Sequence, residues 1–305
     1  MMATFKLTFL HPRHWVTWAG LGFLWLLVQL PYPVLARLGA GLGCSARPFL
    51  KRRERIARRN LELCFPLMDD ALREVLIEKN FKSLGMALIE TGMAWFWSDK
   101  RVRRWFDVEG FQHLQAAQAC QRGVMVVGVH FMSLELGGRV MGLCQPMMAT
   151  YRPHNNALME WVQTRGRMRS NKSMIDRRNL KGLVNALKQG EAVWFAPDQD
   201  YGRKGSIFAP FFSVQNAATT NGTFVLSRLS GAKMLTVTMV RKEDCSGYSL
   251  HIGQALSDYP SQDEFAAASY MNKVIEREIL RAPEQYLWIH RRFKTRPVGE
   301  PSLYN

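Results

Sequence analysis

The sequence lacks the cysteine patterns of a disulfide framework or of a zinc site. Its five cysteines are odd in number, widely spaced and never arranged as Cys-x-x-Cys. We therefore expect small, buried apolar cysteines in a reducing compartment and predict no metal site. The chain also has no repeat at a fixed period and no low-complexity tract, which excludes a repeat architecture.

Acidic residues are scarce relative to basic ones. The 305 residues include 25 Asp and Glu against 41 Lys and Arg, which gives a formal charge of +16. An excess of this size favours an anionic partner, which leaves nucleic acid, anionic lipid and an acidic protein as candidates. Because 47% of the residues are hydrophobic, the chain has enough apolar material for one large folded domain.

Charged residues are absent from 15–36, and 19–30 is apolar around the whole helical circumference. This pattern predicts a membrane anchor helix over 15–36, preceded by a short segment 1–14 and followed by one catalytic domain over 37–305. Pro31 and Pro33 are expected to end or kink the helix, which leaves about 24 Å of helix against a hydrocarbon core of about 30 Å. Whether the anchor crosses or only enters the bilayer is open at this point.

A basic cluster follows the predicted anchor directly. Seven Lys and Arg residues lie within 47–59, opposed only by Glu54. Cations next to an apolar helix are typical of a protein held against anionic headgroups at the cytoplasmic face of a membrane. An ordinary solvated basic helix is the alternative interpretation.

The pattern after the basic cluster predicts an α/β layered domain. The run 123–130 is apolar and rich in β-branched residues, as in a strand buried on both faces of a mixed or parallel sheet. Further strand candidates at 191–196 and 234–240 alternate with helical patterns at 179–188 and 221–229. We therefore expect a central mixed sheet flanked by helices.

His130 stands at the end of the first predicted strand and is followed by Glu135. A five-residue spacing puts two side chains about 140° apart on a regular helix, so they meet only if His130 lies in the turn before the helix. A carboxylate bonded to one ring nitrogen would leave the other nitrogen free to take a proton from a hydroxyl nucleophile. We predict His130 as a general base and Glu135 as its partner, although the pair alone is a weak pattern that also suits a structural histidine.

Three polar segments, 151–156, 165–172 and 196–202, follow the candidate pair. Loops after strand ends are where α/β folds assemble their sites. An arginine at 167 or 169 suits a phosphate group, and the carboxylate at 198 suits an Arg or a substrate hydroxyl. The candidate supporting residues are Arg152, Arg167, Arg169, Lys172 and Asp198.

These segments resemble the lysophospholipid-type acyltransferases that carry His-x-x-x-x-Asp/Glu, and specifically the late acyltransferases of lipid A biosynthesis. The resemblance covers nearly the whole chain and rests on motifs in the same order. They include His11-Pro-Arg-His-Trp15, Arg59-Asn-Leu-Glu-Leu-Cys-Phe-Pro66, Glu90-Thr-Gly-Met-Ala-Trp-Phe-Trp97, His130-Phe-Met-Ser-Leu-Glu135 and Trp288-Ile-His-Arg-Arg-Phe-Lys294. Residues 130–156 and 296–299 resemble the cold-induced branch that transfers palmitoleoyl rather than the branch that transfers lauroyl.

The resemblance implies a lysophospholipid-acyltransferase-like fold and acyl transfer at the cytoplasmic face of the bacterial inner membrane. The donor would be an acyl carrier protein thioester, with no cofactor, and the acceptor a hydroxyl on a hydroxyacyl chain of Kdo-lipid IVA. The family's catalytic pair corresponds to His130 and Glu135, and its important Arg and Asp correspond to Arg167 and Asp198. The positive charge would then serve the anionic acceptor, the acidic carrier and anionic lipids, with no indication of which cluster serves which partner.

Other functions are weighed against this one. A glycerophospholipid acyltransferase would share the His-Glu chemistry but not the acceptor, and a non-catalytic relative would retain the fold alone. A nucleic-acid-binding protein would use the charge, but the cations lack an RNP, zinc-finger or helix-turn-helix pattern. No G-x-S-x-G elbow is present, so direct transfer without an acyl-enzyme is expected.

Overall fold

A computed structural model describes residues 4–120 and 122–304 of the chain. The α-helices within these ranges are α1 Trp15–Leu27, α2 Tyr32–Ala46, α3 Lys51–Cys64, α4 Asp70–Phe96, α5 Asp99–Arg103, α6 Phe111–Ala119, α7 Leu134–Cys144, α8 Ala157–Arg167, α9 Leu180–Lys188, α10 Gly222–Ser230 and α11 Glu264–Ile279. The strands are β1 Phe106–Glu109, β2 Val124–Gly128, β3 Met148–Tyr151, β4 Ser173–Asp176, β5 Ala192–Phe195, β6 Ser206–Phe211, β7 Val214–Thr220, β8 Lys233–Arg241 and β9 Tyr248–Ala255.

Seven of these strands form a mixed central sheet in the order β1-β9-β8-β2-β5-β3-β4. Neighbouring strands run parallel except for the antiparallel pair β8 and β9. A separate antiparallel pair is formed by β6 and β7. The predicted strands at 123–130, 191–196 and 234–240 are β2, β5 and β8, which are neighbours in the sheet, and the predicted α/β fold with a mixed sheet flanked by helices is confirmed.

Strand β2 is buried along its whole length. Its side chains alternate between two hydrophobic cores, with Met125 and Val127 in one and Val124 and Val126 in the other. A strand with apolar groups on both faces must be covered on both sides, because successive side chains point to opposite faces of the sheet. Helices α9 and α11 contribute to the first core, and α2 and α7 to the second.

The interruption predicted at Pro31 is confirmed, because residues 15–36 form two helices rather than one continuous anchor helix. Helix α1 ends at Leu27, and α2 begins at Tyr32 after Pro31, which has extended backbone angles. Proline supplies no amide hydrogen and disfavours helical geometry in the residue before it, so helix α1 does not continue through it. Within residues 4–120 and 122–304, no helix combines the length and apolar character needed to cross a membrane.

Helices α2 and α4 approach each other closely enough to require glycine. A Cβ atom added to Gly85 of α4 would lie 2.1 Å from the carbonyl oxygen of Gly39 in α2. A Cβ atom at Gly43 would lie 1.9 Å from the carbonyl oxygen of Phe81. Because both obstacles are backbone atoms, a side chain at either position would force the helices apart.

We predict that Gly85→Ala lowers the thermal stability of the protein, whereas Gly41→Ala does not. Overpacking of a close helix contact costs about 1–3 kcal/mol. Gly41 is an exposed position of α2 where an added Cβ meets nothing within 4 Å, and alanine there favours the helix by roughly 1 kcal/mol. Thermal unfolding of both variants in detergent measures the difference, and equal Tm values would contradict the close approach.

Candidate active site

His130 and Asp198 lie at the same edge of the central sheet. His130 follows β2, and Asp198 follows β5. The two strands are parallel neighbours, with Val127 paired to Phe195, so their carboxyl ends coincide. Polar loops at this edge are where open α/β sheets place ligands and reacting groups.

Asp198 holds His130 through two contacts. One carboxylate oxygen lies 2.6 Å from the ring Nδ1, and the other accepts the backbone N–H of His130 at 3.0 Å. Asp198 is fully buried, whereas the His130 side chain is 22% exposed. Because a carboxylate only accepts, it favours the tautomer with hydrogen on Nδ1 and leaves Nε2 as a proton acceptor. Nε2 makes no hydrogen bond to any residue that the structure describes.

The charge state of Asp198 is set by its neighbour. Burial acts to raise the pKa of this carboxyl, but the charge attraction and hydrogen bonds from His130 together outweigh burial and lower the pKa. The carboxylate is therefore ionised at neutral pH and faces the ring. An ionised carboxylate at Nδ1 stabilises the imidazolium that forms when Nε2 takes a proton.

The predicted contact between Glu135 and His130 is wrong. Glu135 lies in the first turn of α7, as expected, but its carboxylate is bonded to Arg167 at the end of α8. Arg167 donates through Nε at 2.9 Å and through a terminal nitrogen at 2.6 Å, and the indole N–H of Trp95 donates to the same carboxylate at 2.8 Å. The turn between β2 and α7 directs this face of the helix towards α4 and α8 rather than towards the strand end.

The Glu135–Arg167 pair is held by charge against the cost of burial. Burial acts to raise the pKa of Glu135, but the charge of Arg167 and the hydrogen bonds from Arg167 and Trp95 lower it. For Arg167, burial acts to lower the pKa, and Glu135 raises it overall. Arg167 is thus paired with a carboxylate of the protein. Its guanidinium is therefore not free to bind a phosphate group, contrary to the sequence prediction.

A segment near the carboxyl end of the chain supports the His130 turn, and the sequence reasoning did not select it. The backbone N–H of Met132 donates to the carbonyl of Gln285 at 2.8 Å, and that of Leu287 donates to the carbonyl of His130 at 3.1 Å. The hydroxyl of Tyr286 lies 3.4 Å from the carbonyl oxygen of Asp198. Tyr286, two residues before the 288–294 motif, was the sequence signal for this role.

The remaining predicted residues differ in where they lie. Arg169 is exposed beside Trp95 and donates to its carbonyl. Arg152 is exposed after β3 and forms no hydrogen bond or ion pair within the described chain. Lys172 is paired with Glu191 at 2.7 Å, just before β4 and β5 begin. Because parallel strands share their amino ends at the opposite edge of a sheet, the structure does not bring Lys172 to the His130 turn.

A cleft opens beside the Glu135–Arg167 pair. It encloses about 570 Å³, part of it open to solvent. Most of its surface is apolar, and its wall includes Trp95, Leu134, Met147 and Trp194 together with the ion pair. A cleft of this kind suits an elongated apolar ligand with a polar end.

Comparisons with known proteins agree on one family. A family model described as bacterial lipid A biosynthesis acyltransferase matches residues 2–295. The chain is 76% identical over 300 residues to the lipid A biosynthesis palmitoleoyltransferase of Escherichia coli K12, covering 98% of each chain. It is 54% identical over 300 residues to the lauroyltransferase of the same organism, again covering 98% of each chain.

Among solved structures, the chain is similar to a 1-acyl-sn-glycerophosphate acyltransferase from Thermotoga maritima. The TM-score is 0.36 and the identity 15%, over 78% of this chain and 98% of that one. These values are too low for the likeness to bear on fold or function.

We predict that Asp198→Asn lowers the kcat of acyl transfer by about 1,000-fold or more, because an asparagine amide does not favour the His130 tautomer with a free Nε2. Asp200→Asn is the matched control. Asp200 is also buried, but it bonds Thr295 rather than His130. We expect this control to lose stability and less than about 10-fold in kcat. Equal losses of kcat in steady-state assays of the two variants would contradict the role of Asp198.

The Glu135–Arg167 pair predicts a pH-dependent contribution to stability. The pKa of Glu135 is lowered from its ordinary value of 4.5, so this contribution is present above that pH and is lost as pH falls through the lowered pKa. Protonated Glu135 resembles glutamine. We therefore expect the free energies of unfolding of the parent and Glu135→Gln to differ most near neutral pH and to converge as pH falls. Denaturant unfolding at a series of pH values measures this difference, and a constant difference would contradict the pairing.

Proposed function

The chain belongs to the bacterial lipid A biosynthesis acyltransferase family, and from this premise we propose that it transfers palmitoleoyl from an acyl carrier protein thioester to Kdo-lipid IVA. The acceptor group is the hydroxyl of a hydroxyacyl chain. The 76% identity to a palmitoleoyltransferase supports this acyl group over lauroyl, whose transferase is 54% identical. The observation that carries the chemistry is the Nε2 atom of His130, left free by the contact of Nδ1 with Asp198.

The proposed reaction is one direct acyl transfer. His130 Nε2 takes the proton of the acceptor hydroxyl, whose oxygen attacks the thioester carbonyl carbon. Asp198 stabilises the imidazolium during this step. The tetrahedral intermediate then collapses with cleavage of the carbon–sulfur bond, and the departing thiolate of the carrier takes the proton from His130. One ester is formed, one thioester is lost, and no acyl-enzyme is required.

Glu135 receives a different role from the one its spacing suggested. In this proposal it is a positioning residue that holds Arg167 and Trp95 in the wall of the apolar cleft. The cleft receives the acyl chain of the donor, for which its mainly apolar surface is suited. Loss of Glu135 would leave the Arg167 charge unpaired and disturb the wall.

The site of action proposed for the enzyme is the cytoplasmic face of the inner membrane. Helix α1 exposes large apolar side chains, including Val16, Phe23 and Leu26 at 85%, 68% and 61%. An exposed apolar surface of this kind favours burial at the boundary of headgroups and acyl chains. On α3, Arg52, Arg53 and Arg55 are also exposed, which suits the two acidic partners proposed, anionic lipids and the carrier protein.

An assay with mixed thioesters tests the substrate. The purified protein is supplied with acyl carrier protein loaded with lauroyl, palmitoyl or palmitoleoyl chains, together with Kdo-lipid IVA, and the products are identified by mass spectrometry. We expect palmitoleoyl to be added in preference to the others. A parallel reaction offers a lysophospholipid acceptor, and preference for that acceptor would overturn the assignment in favour of glycerophospholipid acylation.

The same assay tests the general base. We predict that His130→Ala loses about 100-fold or more of kcat. The control is His251→Ala, because His251 is also a partly exposed histidine with Nδ1 bonded to a carboxylate, that of Glu109 at 2.8 Å. The His251–Glu109 pair lies on β9 and β1, the two outermost strands on one side of the sheet. We expect the kcat of this variant to be within about 2-fold of that of the parent. Normal turnover by His130→Ala would refute the mechanism.

A further inference from the structure

A second apolar groove lies between α1, α4 and α8. It encloses about 800 Å³, open in part to solvent, and nearly all of its surface is apolar. The floor is formed mainly by aromatic rings. The side chains that form this floor are those of Trp18, Leu21, Trp25, Trp95, Phe96 and Trp161.

Two arginines line this groove: Arg165 lies in the last turn of α8, and Arg169 lies two residues after the helix ends. Both are exposed, and neither forms an ion pair within residues 4–120 and 122–304. The Arg165 guanidinium lies over the Trp161 ring, 5.5 Å from its centroid, and Arg169 donates to the carbonyl of Trp95. The groove thus combines an apolar floor with two unneutralised positive charges, which is complementary to a ligand that has acyl chains and phosphate.

The groove adjoins the cleft beside the Glu135–Arg167 pair. Trp95 and Gly166 line both spaces, and the indole N–H of Trp95 bonds Glu135. A Cβ atom at Gly166 would lie 2.4 Å from the Trp95 ring, so glycine is what allows this ring to stand at the junction. A ligand seated in the groove therefore lies next to the cleft, with the Trp95 ring between the two spaces.

The other basic cluster lies away from the groove. Arg58 of α3 pairs with Glu74, near the start of α4, whereas the groove contacts Trp95 near its end. At 1.5 Å per residue, these two positions of one helix are about 30 Å apart. The two clusters of cations therefore face different molecules or different parts of a membrane.

We propose that the groove of α1, α4 and α8 is the acceptor site, and that Arg165 and Arg169 bind the phosphate of the acceptor. The acyl chains of the acceptor lie on the tryptophans, and the acceptor enters along the apolar surface of α1. This inference rests on the proposed function and adds to it where the anionic acceptor is recognised. The cations of α3 remain for the carrier protein and anionic lipids.

A binding titration without acyl donor tests the proposal. Kdo-lipid IVA is added to the full-length protein in neutral detergent micelles, and the tryptophan fluorescence of the protein is followed. We expect the double variant Arg165→Gln, Arg169→Gln to weaken Kd by about 10-fold or more, the range for loss of charge-assisted hydrogen bonds. A dephosphorylated acceptor should bind the parent and the double variant equally, because the group that the arginines recognise is absent.

Arg228→Gln is the matched control, because Arg228 is also an exposed helical arginine over an aromatic ring, 5.8 Å from the centroid of Phe224. We expect its Kd to equal that of the parent. An unchanged Kd in the double variant, or equal weakening for phosphorylated and dephosphorylated acceptors, would overturn the proposal. Failure of the proposed function is seen separately, as absence of acylation by the parent when the donor is added.

Discussion

The parallel pairing of β2 with β5 is the constraint on which the candidate site depends. It places the ends of two strands side by side, so that residues 68 positions apart in the chain, His130 and Asp198, come within 2.6 Å. The composition of β2 favours an interior position of this kind, because the strand is apolar on both faces and both must be covered. The same burial that stabilises the sheet therefore positions the proposed base.

Two carboxylates with separate partners organise the space around that base. Asp198 faces the imidazole and sets its tautomer, whereas Glu135 faces a guanidinium and an indole. In the proposed mechanism, Asp198 therefore serves proton transfer, whereas Glu135 maintains the wall of the apolar cleft. The ring of Trp95 lies between the cleft and the groove of α1, α4 and α8 and forms part of the wall of both.

The sequence was most informative where burial decides the structure. Strands β2, β5 and β8 were predicted because short continuous apolar runs are typical of strands buried within a sheet. His130 and Asp198 were predicted as site residues because each follows one of these strands. The partner of Glu135 was not predictable, because it depends on how the five-residue connection from β2 to α7 orients this helix towards α8. The contacts of residues 285–287 with the His130 turn are equally non-local. Lys172 was predicted at the site because it lies close to Arg167 in sequence, but it precedes β4 and so lies at the opposite ends of the strands.

The tautomer of His130 tests the central claim most directly. Nitrogen NMR of the ¹⁵N-histidine-labelled protein near neutral pH reports which ring nitrogen carries the proton. We expect hydrogen on Nδ1 and a bare Nε2, a state that persists in Glu135→Gln and is lost in Asp198→Asn. A tautomer that depends on Glu135 and not on Asp198 would contradict it.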